Sequence, residues 1–261
     1  MTQEVTYPMP VRYETDGPIA RLTLARAQKL NAVGVSMYTD IVTALKEYEA
    51  DDARSILVLT AEGANFCAGR DMMEQATEGV EGWMNALDRS VNHLGFPPVS
   101  KPVITAGRGY ALGLGAYLMM TGDVRLASHT LRFGMRELPT GVLGPYWIGA
   151  AEHLPQGLAF RLAIGDDIPV EELRQAHLLT EVVEDGDLEE AVDRWVDKLL
   201  RLPPVHLRET KRLAATIDSF EFTDGHRDDE IATRLRLHAL DDTTEAAMAF
   251  LQKRSPTYTG H

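Results

Sequence analysis

Lys101-Pro-Val-Ile-Thr-Ala-Gly-Arg-Gly109-Tyr-Ala-Leu-Gly113-Leu-Gly115-Ala-Tyr117, followed by Gly122-Asp123 and then by Phe133-Gly-Met-Arg-Glu137, is the stretch that decides the fold. Pro102 to Ala106 is a largely apolar run of the length expected for a buried strand. The glycines that follow make a turn. Gly113-Leu114-Gly115 then opens an apolar helix. Val124-Arg-Leu-Ala127 and Leu131-Arg-Phe133 read as short strands. The whole is strand, glycine-rich turn, helix, strand, and a loop that ends on one acid, Glu137.

The same rhythm extends outward. Val11-Arg-Tyr-Glu and Ile19 to Leu24 flank Asp16-Gly17-Pro18, which predicts a hairpin. Val35, Tyr38, Ile41, Val42 and Leu45 recur at helical spacing, with Asn31 placed to cap that helix. Ile56-Leu-Val-Leu-Thr60 is a second buried-strand run. After Asp187 the pattern turns helical. Leu188, Ala191, Val192, Trp195, Leu199 and Leu200 form one stripe, ended by Pro203-Pro204. Further helices are expected at about 204–220, 228–240 and 244–251. We therefore expect a mixed α/β body over 1–195 and a helical region over 196–261, which caps the body or packs on a neighbouring subunit.

Composition narrows the function. The 261 residues are 44% hydrophobic and 25% charged, as in an ordinary globular protein. A net charge of −13 argues against nucleic-acid binding, which needs a basic face. The single cysteine, Cys67, excludes an internal disulfide and a cysteine zinc site. The first residues lack a basic stretch and an apolar core, so no signal peptide is expected. The Ala111–Met120 run is shorter than the ~20 residues that span a bilayer. A soluble, cytoplasmic protein is expected. His93, His129 and His153 lack partners at metal-ligand spacing and read as ordinary histidines, with no metal site expected.

Two glycine-rich segments carry the candidate chemistry. Gly63-Ala-Asn-Phe-Cys67-Ala68-Gly69-Arg70-Asp71 follows the Ile56–Thr60 strand. Gly113-Leu114-Gly115 opens the apolar helix. Small residues let backbone amides approach a ligand, and the first amides of a helix point outward with partial positive charge. Amides from two such turns can hold one developing oxyanion. Glycine turns are also ordinary connections. No Gly-x-Gly-x-x-Gly dinucleotide spacing occurs.

Taken in order, Lys29-Leu-Asn-Ala32, Phe66-Cys-Ala-Gly-Arg-Asp71, Lys101-Pro-Val-Ile, Gly109-Tyr-Ala-Leu-Gly-Leu-Gly115, Asp123-Val-Arg-Leu-Ala-Ser128, Phe133-Gly-Met-Arg-Glu137 and the tail Phe250-Leu-Gln-Lys-Arg-Ser-Pro256 resemble the crotonase, or enoyl-CoA hydratase/isomerase, superfamily. The resemblance covers nearly the whole chain. It implies an α/β fold: a crotonase-like spiral of ββα turns followed by a helical trimerisation region, giving a homotrimer or a dimer of trimers. It implies an acyl-CoA thioester substrate and no cofactor beyond the coenzyme A of that substrate. By the family's pattern the thioester oxygen lies between the backbone amides of Arg70 and Leu114, and Lys29, Ala68, Gly69, Asp71 and Gly113 are expected to bind the substrate or its CoA. Lys29 and the segment after Asp71 fall where the family binds the CoA nucleotide. An exposed lysine is more commonly only solvated.

Family hydratases carry two glutamates. The later matches Glu137; the earlier position holds Tyr117. A tyrosine, with an ordinary pKa near ~10, is a poor base at neutral pH. It donates a hydrogen bond or lines the pocket. Hydration needs both an activated water and a proton for C2. Moving a double bond needs one base, which takes a proton from C2 and returns it at C4. The expected function is therefore an enolate-forming isomerase with Glu137 as base. The alternatives are a hydratase or lyase in which Tyr117 or water replaces the missing acid, and a non-catalytic acyl-CoA binder or a diketone hydrolase. Glu137 could otherwise be a surface acid paired with Arg136. Trp83, with Met84 and Leu87 at helical spacing, and Trp147, in a segment where the family places glycines, are expected to line the acyl pocket or to pack as core. Arg108 stands where the family commonly has asparagine, and the sequence offers no reason for it.

Overall fold

The computed structural model describes residues 9–74, 95–138, 154–216, 232–233, 236 and 239–261. The described residues open with strands β1 (Val11–Asp16) and β2 (Ile19–Leu24), an antiparallel pair in which Asp16 faces Ile19. Gly17-Pro18 makes the two-residue turn, with Gly17 at φ +50, as tight hairpins require. Helix α1 (Val35–Ala50) and strands β3 (Ile56–Ala61), β4 (Val103–Gly107) and β5 (Tyr110–Leu112) follow. Then come α2 (Leu114–Met120), β6 (Val124–Ser128) and β7 (Arg132–Gly134). Next are α3 (Gln156–Ala163), α4 (Val170–Gln175) and β8 (Glu181–Val183). The chain ends with α5 (Leu188–Leu200), α6 (Pro204–Thr216) and α7 (Asp241–Gln252).

Among the described residues the strands form two sheets. The larger has the order β1-β2-β3-β4-β6-β8 and is parallel apart from β1. The smaller pairs β5 with β7 in parallel. Bridges extend it: Cys67 pairs with Ala111, and Val33 with Arg70. Each turn of chain thus gives one strand to the large sheet and one extended segment to the small one. β4-β5-α2 and β6-β7 are consecutive examples.

The apolar strands are explained by burial on both faces. In β3, Leu57 and Leu59 point into the core shared with α1, while Ile56 and Val58 point into a second core under α5. A strand covered on both sides has no polar face to show, hence the unbroken apolar run. Each such side chain removed from water contributes roughly 1.5–3 kcal/mol. The α5 stripe packs as its spacing predicts: Leu188, Ala191, Val192 and Val196 are buried, and Trp195, Leu199 and Leu200 pack against them. In α1, Tyr38 and Tyr48 bury their rings and donate from their hydroxyls to the carbonyls of Gly95 and Pro102, each at 2.8 Å. Lys101 is buried just before β4. Its ammonium donates to the Tyr48 and Asp51 carbonyls and lies over the Tyr48 ring. The C-terminal helices join the body here. Lys211 of α6 reaches the Lys101 carbonyl at 2.9 Å and Asp123 at 2.8 Å.

The expected Asn31 cap is corrected. Helix α1 begins at Val35 with Gly34 as its N-cap. Asn31 lies three residues earlier, fully buried at φ +54. Its side chain accepts the Arg26 amide and donates to the carbonyls of Glu62 and Asn65. Those long-range acceptors outcompete the local helix end. Arg108 gains an account: its guanidinium pairs with Glu189 at 2.7 Å and lies 3.5 Å from Asp185, tying the end of β4 to the start of α5. The expected helix at about 228–240 lies largely outside the described residues, as do Trp83, Met84, Leu87, His93, Trp147 and His153.

Candidate active site

Beyond its last strand residue, Ala61, β3 runs on into the segment that reaches the small sheet. Cys67 donates to Tyr110 O at 2.6 Å and accepts from Leu112 at 3.0 Å. Gly69 then crosses the β5–α2 turn at φ +100. A Cβ on Gly69 would lie 2.8 Å from Leu112 O and 3.7 Å from the Leu114 nitrogen. The close approach therefore requires glycine, and the 69–70 and 112–114 turns are brought into contact.

The two amides singled out in the sequence are placed by secondary structure. Leu114 is the first residue of α2, after the Gly113 cap, so its N–H precedes the helix's internal hydrogen bonds and points out of its end. The Val33–Arg70 bridge uses the Gly69 carbonyl and the Asp71 amide. In a parallel pairing this directs the Arg70 amide to the opposite edge, toward the 112–114 turn.

Glu137 follows β7 in the Phe133–Glu137 segment and is half-buried. A Cβ on Gly113, which sits at φ +50, would stand 3.3 Å from Glu137 Oε1. The carboxylate therefore lies over the residue that precedes the Leu114 amide. Its Oε2 accepts the Arg136 amide at 2.9 Å. The Arg136 guanidinium donates to Gly165 O at 2.6 Å and pairs with Asp167. Tyr117 lies about one turn into α2, 2% exposed, within the main apolar core. Its amide donates to Gly113 O at 3.1 Å.

The residues expected to bind the nucleotide end fall beside these turns. Ala68 donates to Leu30 O at 3.0 Å. Lys29 is exposed and lines a cavity of about 290 Å³ with Arg26, Gln28, Gly34, Met37 and Glu74. Asp71 is 7% exposed, and protein donors engage both its oxygens. Oδ1 accepts the amides of Met73 and Glu74, and Oδ2 accepts Arg26 Nη1 at 2.8 Å. Burial alone would raise its pKa. The two amides and the guanidinium outweigh that and hold the carboxyl below its ordinary value. Cys67, fully buried beside Gly115, has its thiol pushed up to about 12 by desolvation, which the Gly69 hydrogen bond only partly offsets. It is a packing residue with little thiolate character.

Sequence reading missed Arg26, which no motif-level chemistry marked and whose acidic partner is 45 residues away. It also missed the reason for Gly115: a Cβ there would lie 2.4 Å from Cys67 O. Among the described residues, no group of three or more His, Cys, Asp or Glu is placed to hold a metal ion. No described helix is long and apolar enough to cross a membrane.

The family described as Enoyl-CoA hydratase/isomerase matches residues 14–261. A 1,2-epoxyphenylacetyl-CoA isomerase of Escherichia coli K12 is 29% identical, over 93% of this chain and 95% of that protein. A 2,3-dehydroadipyl-CoA hydratase of the same organism is also 29% identical, over 92% and 94%. The crystal structure of an enoyl-CoA hydratase from Mycobacterium tuberculosis H37Rv superposes with a TM-score of 0.87 at 27% identity, covering 97% of this chain and 99% of that one.

Proposed function

The chain belongs to the enoyl-CoA hydratase/isomerase family of enzymes, and from that premise we propose that it moves the double bond of an enoyl-CoA thioester, with Glu137 as the single base. The observation that carries this reading is the presence of one carboxylate, over Gly113, together with a tyrosine buried in the apolar core at the earlier acidic position of family hydratases.

In this reading the thioester oxygen accepts the amides of Arg70 and Leu114. Glu137 removes a proton from C2 of a 3-enoyl thioester. The electron pair delocalises onto the thioester oxygen, where the two amides stabilise the dienolate. The protonated Glu137 returns the proton at C4, and the double bond ends between C2 and C3. Atoms and charge balance with no co-reactant. Donors fixed by the backbone need no reorganisation during the step.

A second reading, hydration, is supported by a relative of equal identity that carries a hydratase name. There Tyr117 or a bound water would supply the missing acid. Turnover of trans-3-hexenoyl-CoA against hydration of crotonyl-CoA separates the two. Hydration without isomerisation overturns the first. Tight acyl-CoA binding with no turnover of either thioester favours a non-catalytic binder, and no CoA affinity favours a diketone substrate. We further propose assembly as a homotrimer or dimer of trimers through the C-terminal helices. A monomer in sedimentation would refute that.

A further inference from the structure

The turn that presents the Arg70 amide is held by its neighbours. On one side Cys67 bonds to β5. On the other, Val33 donates to Gly69 O at 2.8 Å and accepts from Asp71 at 2.9 Å, and Leu30 O accepts Ala68. The direction of the Arg70 amide therefore depends on where the 30–33 segment sits.

That segment is bent in a way Leu30 does not favour, though asparagine tolerates it. Leu30 and Asn31 are both in the left-handed region, at φ +53 and +54. A leucine stays there only when its surroundings over-determine it. Asn31 supplies part of the restraint through its buried amide. Backbone bonds from Leu30 to Ala27 O and from Asn31 to Arg26 O add to it, and the Arg26 side chain ties the segment to its neighbours. Its Nη1 donates to Ala32 O at 2.9 Å and to Asp71 Oδ2 at 2.8 Å, and its Nη2 donates to Glu74 Oε1 at 2.8 Å. Asp71 passes the restraint on by accepting the amides of Met73 and Glu74. One guanidinium thus clamps the segments on both sides of the Val33–Arg70 bridge.

We infer that Arg26, acting through Asp71, is a positioning residue that sets the direction of the Arg70 amide. The inference rests on the reading above, in which that amide holds the thioester oxygen. The planar fork is essential, because a lysine ammonium on a flexible stem cannot hold the same three acceptors in one geometry. Misplacement of a donor by about 1 Å costs on the order of 100-fold in rate.

Arg26 also lines the cavity that contains Lys29, so a direct contact with CoA must be told apart from positioning. Arg26→Lys and Asp71→Asn are compared with the parent enzyme by steady-state kinetics and by infrared difference spectra of bound butyryl-CoA labelled with carbon-13 at the thioester carbonyl. Butyryl-CoA has no double bond to react, so its carbonyl band reports the donors alone. In the parent enzyme the band shifts to lower frequency on binding. In both variants the shift is smaller, kcat falls by roughly 10- to 100-fold and KM stays within about twofold. Should Arg26→Lys fold poorly, as a thermal melt would reveal, Asp71→Asn makes the same test. An unchanged band with a raised KM would assign Arg26 to CoA contact and overturn the inference. So would parental kcat in both variants. A parent band that does not move on binding refutes the oxyanion role of the amides themselves, a different failure.

Discussion

Glu137 Oε1 stands 3.3 Å from the point that a Cβ on Gly113 would occupy. The carboxylate and the start of α2 therefore share one small space, and Gly113 keeps it open. Because Gly113 also lies at φ +50, Gly113→Ala strains the backbone while crowding the carboxylate. We expect turnover to fall at least 10-fold and stability to drop by about 1–2 kcal/mol. Kinetics and denaturant melts check both.

Replacing Glu137, the proposed base, tests the chemistry with little change in shape. In Glu137→Gln the side-chain oxygen can still accept the Arg136 amide, so the fold should persist. Loss of the proton carrier should lower turnover by about 100-fold or more. Acyl-CoA affinity, read by calorimetry, should change little. Full activity in this variant would remove Glu137 from the mechanism.

Tyr117 distinguishes the two reactions. Its ring is packed in the apolar core, and phenylalanine preserves that packing. If the residue only lines the site, Tyr117→Phe should retain turnover within about threefold. A fall beyond about 100-fold would mean that the hydroxyl transfers or orients a proton, favouring hydration.

Cys67 should be silent in the native state. Its thiol pKa is pushed up to about 12 and it is fully buried, so little thiolate exists at pH 8. A disulfide-exchange reagent should label it at pH 8 only after denaturation. Rapid labelling of native enzyme would contradict the burial.

Asp71 makes stability depend on acid. Its folded pKa lies below the unfolded value because the Glu74 and Met73 amides and Arg26 together outweigh desolvation. Its contribution is present above the unfolded pKa of about 3.9 and is lost as pH falls through the folded value. Asp71→Asn should therefore destabilise the protein near pH 7 and flatten the dependence below about pH 5. Equal pH slopes in parent and variant would refute this.

What could be read from the residues follows what is local in them. Ile56 to Thr60 announces a doubly covered strand because both faces must be apolar. The α5 stripe announces a helix through its spacing. Asn31 misled because capping chemistry is judged from adjacent positions, whereas its carbonyl acceptors, Glu62 and Asn65, lie over 30 residues away. Arg26 gave no signal for the same reason.

By itself, then, the sequence determined the order of strands and helices, the glycine turns, and the presence of a late glutamate with a tyrosine at the earlier position. These are properties of neighbouring residues. Only the tertiary structure decided that Gly69, Leu114 and Glu137 converge, and that Arg26 reaches across to Asp71. Those relations follow from the register of parallel segments, Cys67 beside Ala111 and Val33 beside Arg70. Register between distant strands is set by packing of the whole spiral, which no local pattern specifies.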